Sequence, residues 1–390
     1  ASGFLGGWIV KELLAQGVAR VRAVDITRDD HLGVLAPGEA SGAVDFVKCD
    51  ITDAGQASAA LEGAQVVFHA ASSYGSPAFA AKRYMLPAQQ QRMVAINVDG
   101  TRNLLEAAVE HGAKAFIYTS TANVSCGRAQ DADFLDEDEE LDVSEEDLEE
   151  MYSLVKRRAD RLVRSYDGSA GGRLRTCTIR PTGLWGPSAK AVALTTAVEL
   201  GVWPLGALLY CGTKKLDWSH VHNVTVAEIL AAGKCLQDGD VVGGKAYNVT
   251  DGHLEKCNVT FVGRICDFAG APFWPIFTLG DKAWWFICFC MTCWEGICFY
   301  LTLWLRPGGP PFQPLSTRPQ MNKGRYSMTL SIERARRDLG YVPAEWEPLF
   351  METATFFRER YSEAHRAMHN RLMLAASTLL CAAIAMYLAL

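Results

Sequence analysis

Short apolar segments alternate with helical segments along the first half of this chain, and this alternation limits its fold more than any other feature. Segments rich in β-branched and aromatic residues occur at Val21–Asp25, Phe46–Asp50, Val66–Ala71 and Ala115–Tyr118. Helical periodicity appears between them, most clearly over Arg92–His111. Strands that alternate with helices in this way form a doubly wound parallel sheet. We therefore predict an α/β fold with a dinucleotide-binding Rossmann domain over residues 1–187.

The composition is typical of a protein with a large core and no nucleic-acid partner. At 390 residues and 49% hydrophobic content, the chain can bury one large core or two smaller ones. Its net charge is −6, whereas a nucleic-acid binder presents a basic face. The 12 cysteines are scattered along the chain, which favours reduced thiols over a disulfide framework.

Two glycines near the start of the chain indicate a dinucleotide site. Gly3, Phe4, Leu5 and Gly6 match the last part of a G-x-x-G-x-x-G loop, and a helix is predicted directly after it, over Trp8–Gln16. Such glycines let the backbone approach a pyrophosphate, which then lies at the helix N-terminus. An ordinary turn can carry the same two glycines. We expect the first glycine of the loop and the strand before it to belong to the parent protein and to be missing from this sequence.

Residues at the predicted strand ends extend this site. Asp25 ends a strand about 20 residues beyond the glycines, where a carboxylate binds the ribose hydroxyls of NAD and repels a 2′-phosphate. Arg28 follows closely, so NAD over NADP is predicted as a preference only. Asp50–Ile51 follows the second strand, and Asp50 is placed to contact the adenine end. Ala70–Ala71 ends the third strand with small residues that leave room for a ligand, and we interpret His69 as structural.

Tyr152 and Lys156 are the candidate proton-transfer pair. Their spacing of four places both on one face of a predicted helix. A lysine ammonium near a phenol lowers the phenol pKa from its usual ~10, which makes the phenol a proton acceptor near neutral pH. Y-x-x-x-K also occurs by chance on ordinary exposed helices. The motifs around it therefore determine whether the pair is interpreted as catalytic. Asn97 is a polar residue on a largely apolar helix, so its side chain is predicted to have a hydrogen-bonding task.

Taken in order, the motifs resemble those of the extended short-chain dehydrogenases/reductases and, within them, the 3β-hydroxysteroid dehydrogenase/isomerase family. They are G-F-L-G, a strand-end Asp, D-I-T-D, H-A-A, N-V-D-G-T-R-N-L-L-E-A-A, Y-T-S-T, Y-x-x-x-K and R-P-T-G-L-W-G-P. Three later segments match as well: Asp217–Val224, Ala246–Gly252 and Arg325–Pro343. The resemblance covers residues 1 to about 350 and is closest to the membrane-tailed, sterol-dehydrogenase-like branch.

This resemblance implies a catalytic role for four residues. Tyr152 would be the catalytic acid/base, and Lys156 would lower its pKa and hold the nicotinamide ribose. Thr121 would bind the substrate oxygen, with the neighbouring Ser120 as the open alternative. Asn97 would help to position the site or a proton-relay water.

Cofactor, substrate and assembly are implied by the same resemblance. Pro181 and Thr182 would lie along the nicotinamide of NAD, with NADP less favoured. The substrate would be a secondary alcohol on a steroid or sterol, at the 3β-hydroxyl, with a following isomerase step or loss of a 4-carboxyl left open. A homodimer would form through the two long helices that include residues 92–111 and 152–166.

Two other functions remain open at this point. Nucleotide-sugar epimerases and dihydroflavonol-type reductases share the Tyr/Lys core, although they are usually soluble. A membrane-anchored dinucleotide-binding protein without turnover is the alternative from another class.

Two apolar stretches predict contact with a membrane. Residues 283–305 carry a single charge and residues 372–390 carry none, and each stretch is long enough to cross a hydrocarbon core of ~30 Å. A crossing at 283–305 would separate the later family segments from the catalytic unit. We therefore predict a re-entrant or interfacial element there, bent near Glu295–Gly296. Only the tail 372–390 is predicted to span the membrane, after a basic amphipathic linker at 351–371.

The charges before the tail predict its orientation. Four arginines precede it, which favours a cytoplasmic catalytic side at an endoplasmic-reticulum-type membrane: Arg358, Arg360, Arg366 and Arg371. The substrate-binding portion is predicted over residues 188–350. Four cysteines within 283–305 have apolar neighbours, so we interpret them as small apolar residues and expect no metal site: Cys288, Cys290, Cys293 and Cys298.

Overall fold

Parallel strands form the frame of the protein. The computed structural model describes residues 1–74, 82–125, 131–138, 144–146, 148–191, 214–252, 258–271, 281–306, 312, 326–361 and 367. Its strands are β1 (Val21–Asp25), β2 (Val44–Lys48), β3 (Val66–His69), β4 (Ala115–Thr119), β5 (Ala132–Leu135), β6 (Arg175–Pro181), β7 (Gly183–Trp185), β8 (Trp218–His220), β9 (Lys245–Val249) and β10 (Met328–Leu330).

Helices connect and cover these strands. They are α1 (Phe4–Ala15), α2 (Leu35–Ser41), α3 (Ala54–Leu61), α4 (Pro87–Val94), α5 (Gly100–Glu110), α6 (Met151–Ser165), α7 (Ser169–Gly172), α8 (Val221–Gln237), α9 (Gly239–Val242), α10 (Asn258–Ala269), α11 (Asp281–Leu305) and α12 (Trp346–Arg360). Short 3₁₀ turns lie at Lys82–Tyr84 and Ala122–Val124, and π-helical turns at Ala95–Asp99 and Ala335–Leu339.

The main sheet has the strand order β3–β4–β6–β9, and adjacent strands in it run parallel to each other. Strands β1 and β2 form a separate parallel pair, and β5–β10 and β7–β8 are two more. The predicted parallel α/β fold is thereby confirmed in its Rossmann-like form. The described strands differ from the prediction of one continuous sheet, because β1–β2 is not hydrogen-bonded to the main sheet.

Both faces of the main sheet are covered, as a doubly wound fold requires. Every residue of β4 is buried, because its alternate side chains enter two different cores. Ile117 belongs to the core beneath α1 and α8, whereas Phe116 belongs to the core beneath α5 and α6. Helix α1 also joins the two sheets, since Trp8 packs on the main sheet and Val10 on the β1–β2 pair.

The predicted helix Arg92–His111 is present, but it contains an irregular turn. Helix α4 passes into α5 through the π-helical turn Ala95–Asp99, in which Asn97 is buried. π-Helical turns inside helices are frequent at functional sites. The turn directs Asn97 towards the loop that follows β3, as its hydrogen bonds show below.

A second apolar cluster lies in the later part of the chain. It joins β7 and β8 to α10 and α12, through residues such as Trp185, Trp218, Phe261, Phe350 and Phe357. Trp185 is fully buried, and its indole N–H donates to Asp251 Oδ2 at 2.6 Å. This cluster lies mainly within the predicted substrate-binding portion, 188–350.

The apolar stretch 283–305 forms helix α11, which runs unbroken from residue 281 to 305. The predicted bend near Glu295–Gly296 is therefore wrong. Glu295 is buried, and a Cβ at Gly296 would lie 3.5 Å from the Tyr84 ring, so both residues face the rest of the protein. The helix continues through this point, and Gly296 allows close packing on the Tyr84 ring. The predicted tail 372–390 lies outside the described residues.

Candidate active site

The first turn of α1 forms the predicted glycine loop. Gly3 precedes the helix in an extended conformation, and no side chain in the described part of the chain caps the helix there. A Cβ added at Gly6 would lie 3.0 Å from the Ala1 backbone, whereas one at Gly3 would meet no atom within 4 Å. Gly6 therefore allows the loop to pack against α1, and the N–H groups of Phe4 and Leu5 belong to the helix N-terminus. Uncapped N–H groups at a helix start fit the pyrophosphate of a dinucleotide.

Asp25 lies at the end of β1 beside this loop. Its carboxylate accepts hydrogen bonds from the Ser2 N–H at 2.8 Å and from the Thr27 N–H at 3.4 Å. Burial raises the pKa of Asp25, whereas the N–H donors of Ser2 and Thr27 lower it. Arg28 is ion-paired with Glu39 at 2.6 Å. Asp25 therefore lies, held by backbone N–H donors, at the place where a ribose hydroxyl donor fits.

The other predicted dinucleotide residues follow the next strands on the same edge. Asp50 accepts from the Thr52 N–H and hydroxyl, and Ile51 packs on Gly100, where an added Cβ would come within 2.7 Å. Ala70–Ala71 directly follows β3. Because each of them follows the carboxyl end of a parallel strand, these residues fit the walls of a ligand crevice.

Tyr152 and Lys156 lie on α6, as predicted, and both are buried. The Tyr152 ring stacks on the Tyr74 ring, with centroids 4.7 Å apart and an interplanar angle of 27°. Its phenol also shares hydrogen bonds with Tyr74 and Ser72. The phenol therefore lies between α6 and the loop after β3.

The predicted lowering of the Tyr152 pKa is wrong for this arrangement. Burial raises the pKa of Tyr152 well above its usual value, and the neighbouring phenols of Tyr74 and Tyr118 add to this. The hydrogen bond with Ser72 acts in the opposite direction. Lys156 instead donates to the Thr119 carbonyl at 2.6 Å and lies over the Tyr118 ring, 4.1 Å from its centroid. Helical spacing placed both groups on one face but did not include this burial.

Asn97 connects the π-helical turn to the loop after β3. Its Oδ1 accepts from the Ser72 hydroxyl at 2.9 Å and from the Ser73 N–H at 3.0 Å. Its Nδ2 donates to the carbonyl oxygens of Ser73 and Met93. The predicted hydrogen-bonding task of Asn97 is thus to hold the loop after β3. Through Ser72, Asn97 also connects Tyr152 on α6 to the π-helical turn between α4 and α5.

Lys156 has a buried acidic neighbour on the other side of the sheet. The Thr119 hydroxyl donates to Glu228 Oε1 at 2.5 Å, and both side chains are buried. Burial lowers the pKa of Lys156 to about 7, against the charges of Asp160 and Glu228. Burial raises the pKa of Glu228 to about 7, against the Thr119 hydrogen bond and the charge of Lys156. Sequence reasoning missed Glu228, Ser72 and Tyr74.

The remaining predicted residues lie at the ends of β4 and β6. Thr121 is buried, and its hydroxyl accepts from the Asn123 N–H at 3.3 Å, while the Ser120 N–H donates to the Ile179 carbonyl at 2.7 Å. Pro181 ends β6, and the Thr182 hydroxyl lies 2.8 Å from the Ser219 hydroxyl.

His69 packs in the core, as predicted. Its Nε2 lies 2.9 Å from the Thr101 hydroxyl, and its ring is 5.2 Å from that of Tyr118. Burial, together with the positive charge of Lys156, lowers the pKa of His69 to about 3. His69 is therefore a neutral structural residue.

Solved structures share this fold over nearly the whole chain. A dTDP-glucose 4,6-dehydratase from Streptomyces venezuelae, solved with NAD, is 22% identical with a TM-score of 0.63, covering 93% of this chain and 97% of that one. A short-chain dehydrogenase/reductase superfamily protein from Agrobacterium tumefaciens, with bound NAD, is 20% identical with a TM-score of 0.61, covering 94% and 97%. These likenesses show the fold of the chain, which is that of a class of Rossmann-like α/β proteins.

Sequence comparison narrows this class to one family. A 3 beta-hydroxysteroid dehydrogenase/Delta 5→4-isomerase of Mycobacterium tuberculosis is 31% identical over 342 residues, which cover 88% of this chain and 84% of that protein. A 3 beta-hydroxysteroid dehydrogenase type 7 of Homo sapiens is 28% identical over 360 residues, covering 88% and 90%. The model of the 3-beta hydroxysteroid dehydrogenase/isomerase family matches residues 1–267. The chain belongs to this family, which confirms the resemblance, and it is an oxidoreductase.

Proposed function

We propose that this protein oxidises the 3β-hydroxyl group of a sterol or steroid with NAD. The observation that carries the proposal is the buried Tyr152 phenol, which lies on the Lys156 helix and is joined through Ser72 to Asn97. Membership of the 3-beta hydroxysteroid dehydrogenase/isomerase family supports the substrate class.

The residues of the site have separable roles in this reaction. Tyr152 exchanges the proton of the alcohol, and Thr121 binds its oxygen, with Ser120 as the neighbouring alternative. Lys156 holds the nicotinamide ribose, and its ammonium is fixed by the Thr119 carbonyl. A bound NAD would supply the acceptor for the hydride of the carbinol carbon. The protein supplies orientation and a path for the proton.

The proton path leads from Tyr152 to the loop after β3. Because burial raises the pKa of Tyr152, the phenol is protonated at neutral pH and needs a partner that accepts its proton before oxidation. Ser72 forms hydrogen bonds with both the Tyr152 phenol and Asn97, so it is the first residue of this proton path. Tyr74 covers the Tyr152 ring. We propose that the substrate alcohol displaces Tyr74 and binds beside the Tyr152 phenol.

We also propose that the dinucleotide lies over Gly3–Gly6 and along Pro181 and Thr182, and that NAD is preferred over NADP. The Asp25 carboxylate binds the ribose hydroxyls and repels a 2′-phosphate. The ion pair of Arg28 with Glu39 leaves the Arg28 guanidinium engaged by an acid rather than by a phosphate.

The Asp25→Ala variant tests this preference. We expect its kcat/KM for NAD to fall about 10- to 100-fold, because charge-assisted hydrogen bonds to the ribose are lost. The value for NADP should fall less, so that the NAD/NADP ratio drops. The control is Asp45→Asn on β2, whose carboxylate pairs with Arg22 and should not affect either cofactor. An unchanged ratio in Asp25→Ala would contradict the assignment.

Helix α11 is the proposed membrane-contacting element. Among the described residues, it is a helix long and apolar enough to cross a membrane, over Cys288–Leu305, with a mean hydropathy of 1.4. Only 17% of this window is buried. One face packs on the Lys82–Tyr84 turn through Gly296 and Phe299, while large apolar side chains on the rest are exposed. This arrangement supports an interfacial helix, and we propose an endoplasmic-reticulum-type membrane with the catalytic unit on its cytoplasmic side, as the arginines before the predicted tail suggest.

Brominated phospholipids test this contact, because they quench tryptophans that lie among the acyl chains. Trp294 and Trp304 are 46% and 78% exposed on α11. We expect the quenched fraction of the protein emission to fall when both are replaced by Phe. The control is Trp185→Phe, which removes a buried tryptophan and should leave the quenched fraction unchanged or larger. Equal quenching before and after removal of Trp294 and Trp304 would contradict an interfacial α11.

The function itself is tested with purified protein in detergent, NAD and a panel of sterols. We expect reduced cofactor to accumulate with 3β-hydroxysterols and not with their 3α epimers. Nucleotide sugars and dihydroflavonols in the same panel represent the alternative enzymes. Cofactor binding without turnover of any substrate would favour the non-catalytic dinucleotide-binding protein.

A further inference from the structure

Glu228 is a buried acid that the proposed reaction does not use. It lies on α8, which packs on the face of the main sheet opposite to α6. Its side chain has no exposed surface. Within the described part of the chain, its Oε2 atom has no hydrogen-bond partner. A carboxyl group in such a place costs free energy unless a nearby charge compensates it.

Thr119 connects this acid to the active site through the sheet. Its side chain points to the α8 face, where the hydroxyl donates to Glu228 Oε1 at 2.5 Å. Its carbonyl oxygen accepts from Lys156 Nζ at 2.6 Å. One residue at the end of β4 therefore touches the acid on one side and the lysine on the other. Thr121, the proposed ligand of the substrate oxygen, follows two residues later.

The other titratable groups around the pair are few. Lys156 faces Asp160 on its own helix, His69 on β3 and the Tyr118 ring on β4. Asp160 is already engaged in an ion pair with Arg180 at 2.8 Å, and His69 is neutral. Glu228 also lies near the thiol of Cys177 on β6, whose pKa is raised well above its usual value by the hydrogen bond with Cys235 and by burial. Glu228 is thus the acid near Lys156 that no arginine neutralises among the described residues.

We propose that Glu228 is a positioning residue of the active site, which keeps Lys156 charged from the opposite face of the sheet and fixes the end of β4 through Thr119. A buried ammonium is costly, and the negative charge of Glu228 raises the pKa of Lys156 just as the positive charge of Lys156 lowers that of Glu228. The burial-lowered pKa of Lys156, which the charge of Glu228 raises, agrees with this role. The inference rests on the proposed function of Lys156 as the residue that holds the nicotinamide ribose.

The first test follows the pH dependence of NADH binding, read by fluorescence of the bound cofactor over about pH 6 to 9. Wild-type protein should lose affinity as pH rises and Lys156 loses its proton. In Glu228→Gln, whose amide still accepts from Thr119, this loss should move down by about one pH unit. Glu228→Asp keeps the negative charge, so it should lose NADH affinity over the same pH range as wild-type protein. The control is Glu137→Gln, which also removes a buried carboxyl group. It should leave the pH dependence of NADH affinity unchanged.

The second test needs neither cofactor nor activity. The unfolding free energies of Glu228→Gln, Lys156→Met and the double variant form a double-mutant cycle at about pH 7. We expect the double variant to be more stable than the sum of the two single changes predicts, because each single change leaves one buried group without its counter-charge.

The outcomes separate the two proposals. The inference about Glu228 would be overturned if Glu228→Gln and wild-type protein showed the same pH dependence of NADH affinity. It would also be overturned if the changes in unfolding free energy of the two single variants were additive. If Lys156→Met binds NADH as tightly as wild type at every pH, the proposed role of Lys156 fails instead. The cycle then still decides whether Glu228 and Lys156 are coupled.

Discussion

Replacement of Tyr152 by Phe is expected to lower kcat for sterol oxidation by about 100- to 10,000-fold, the range that general acid–base groups contribute. The change removes one hydroxyl group and leaves the ring, which stacks on Tyr74, in place. NAD binding should therefore remain, while proton exchange with the alcohol is lost. Steady-state rates in detergent and fluorescence titration of the cofactor measure the two effects separately.

Tyr74→Phe is the matched control for this prediction. It deletes the same group from the stacked partner ring, and the phenol of Tyr152 keeps its contact with Ser72. We expect kcat to change less than tenfold, because a single neutral hydrogen bond contributes about 1 kcal/mol. Equal losses in Tyr74→Phe and Tyr152→Phe would show that the acid/base role does not belong to Tyr152 alone. Near-normal activity of Tyr152→Phe would contradict the proposed mechanism.

Replacement of Arg180 by Met is expected to destabilise the protein by about 3–5 kcal/mol, because it leaves a buried carboxylate without its main partner. Arg180 and Asp160 are 0% and 1% exposed, and two hydrogen bonds of 2.8 and 3.0 Å join them. Burial opposes ionisation of Asp160, but Arg180 above all holds its pKa below the usual value. Chemical unfolding at neutral pH measures the loss.

Arg164→Met provides the control, since Arg164 pairs with the same carboxylate at 3.1 Å but is 28% exposed. We expect it to cost less than about 1 kcal/mol, as partly exposed ion pairs do. The Asp160 pKa is depressed in the folded state, so the stability from the pair is present above the unfolded pKa of ~4 and lost as pH falls. Similar losses for both variants at neutral pH would contradict the assigned difference between them.

Local sequence signals predicted the frame of the site well. The strands at Val21–Asp25 and Ala115–Thr119 and the helix with Tyr152 and Lys156 appear where apolar patterning placed them. Asn97 was recognisable because an amide on an apolar helix must find partners. These features depend on residues close in sequence, whose spacing fixes which face they share.

Features that depend on distant contacts were not predictable in this way. Glu228 reaches the site only because α8 packs across the sheet from α6, 109 positions from its partner Thr119. Tyr74 lies in a loop without periodicity, so nothing in the sequence placed it on Tyr152. The direction of the Tyr152 pKa shift depends on burial, which helical spacing does not report. The bend expected at Glu295–Gly296 is absent from the continuous helix α11, in which both residues lie on the protein-facing side.

The central claim is that this protein removes hydride from the carbon bearing a sterol 3β-hydroxyl. A sterol carrying deuterium on that carbon, incubated with NAD and the protein in detergent, tests it most directly by mass analysis of the recovered cofactor. We predict that the reduced cofactor carries the deuterium with wild-type protein and that it forms about 100- to 10,000-fold more slowly with Tyr152→Phe. Sterol that keeps all its deuterium while wild-type protein binds NAD would contradict the claim.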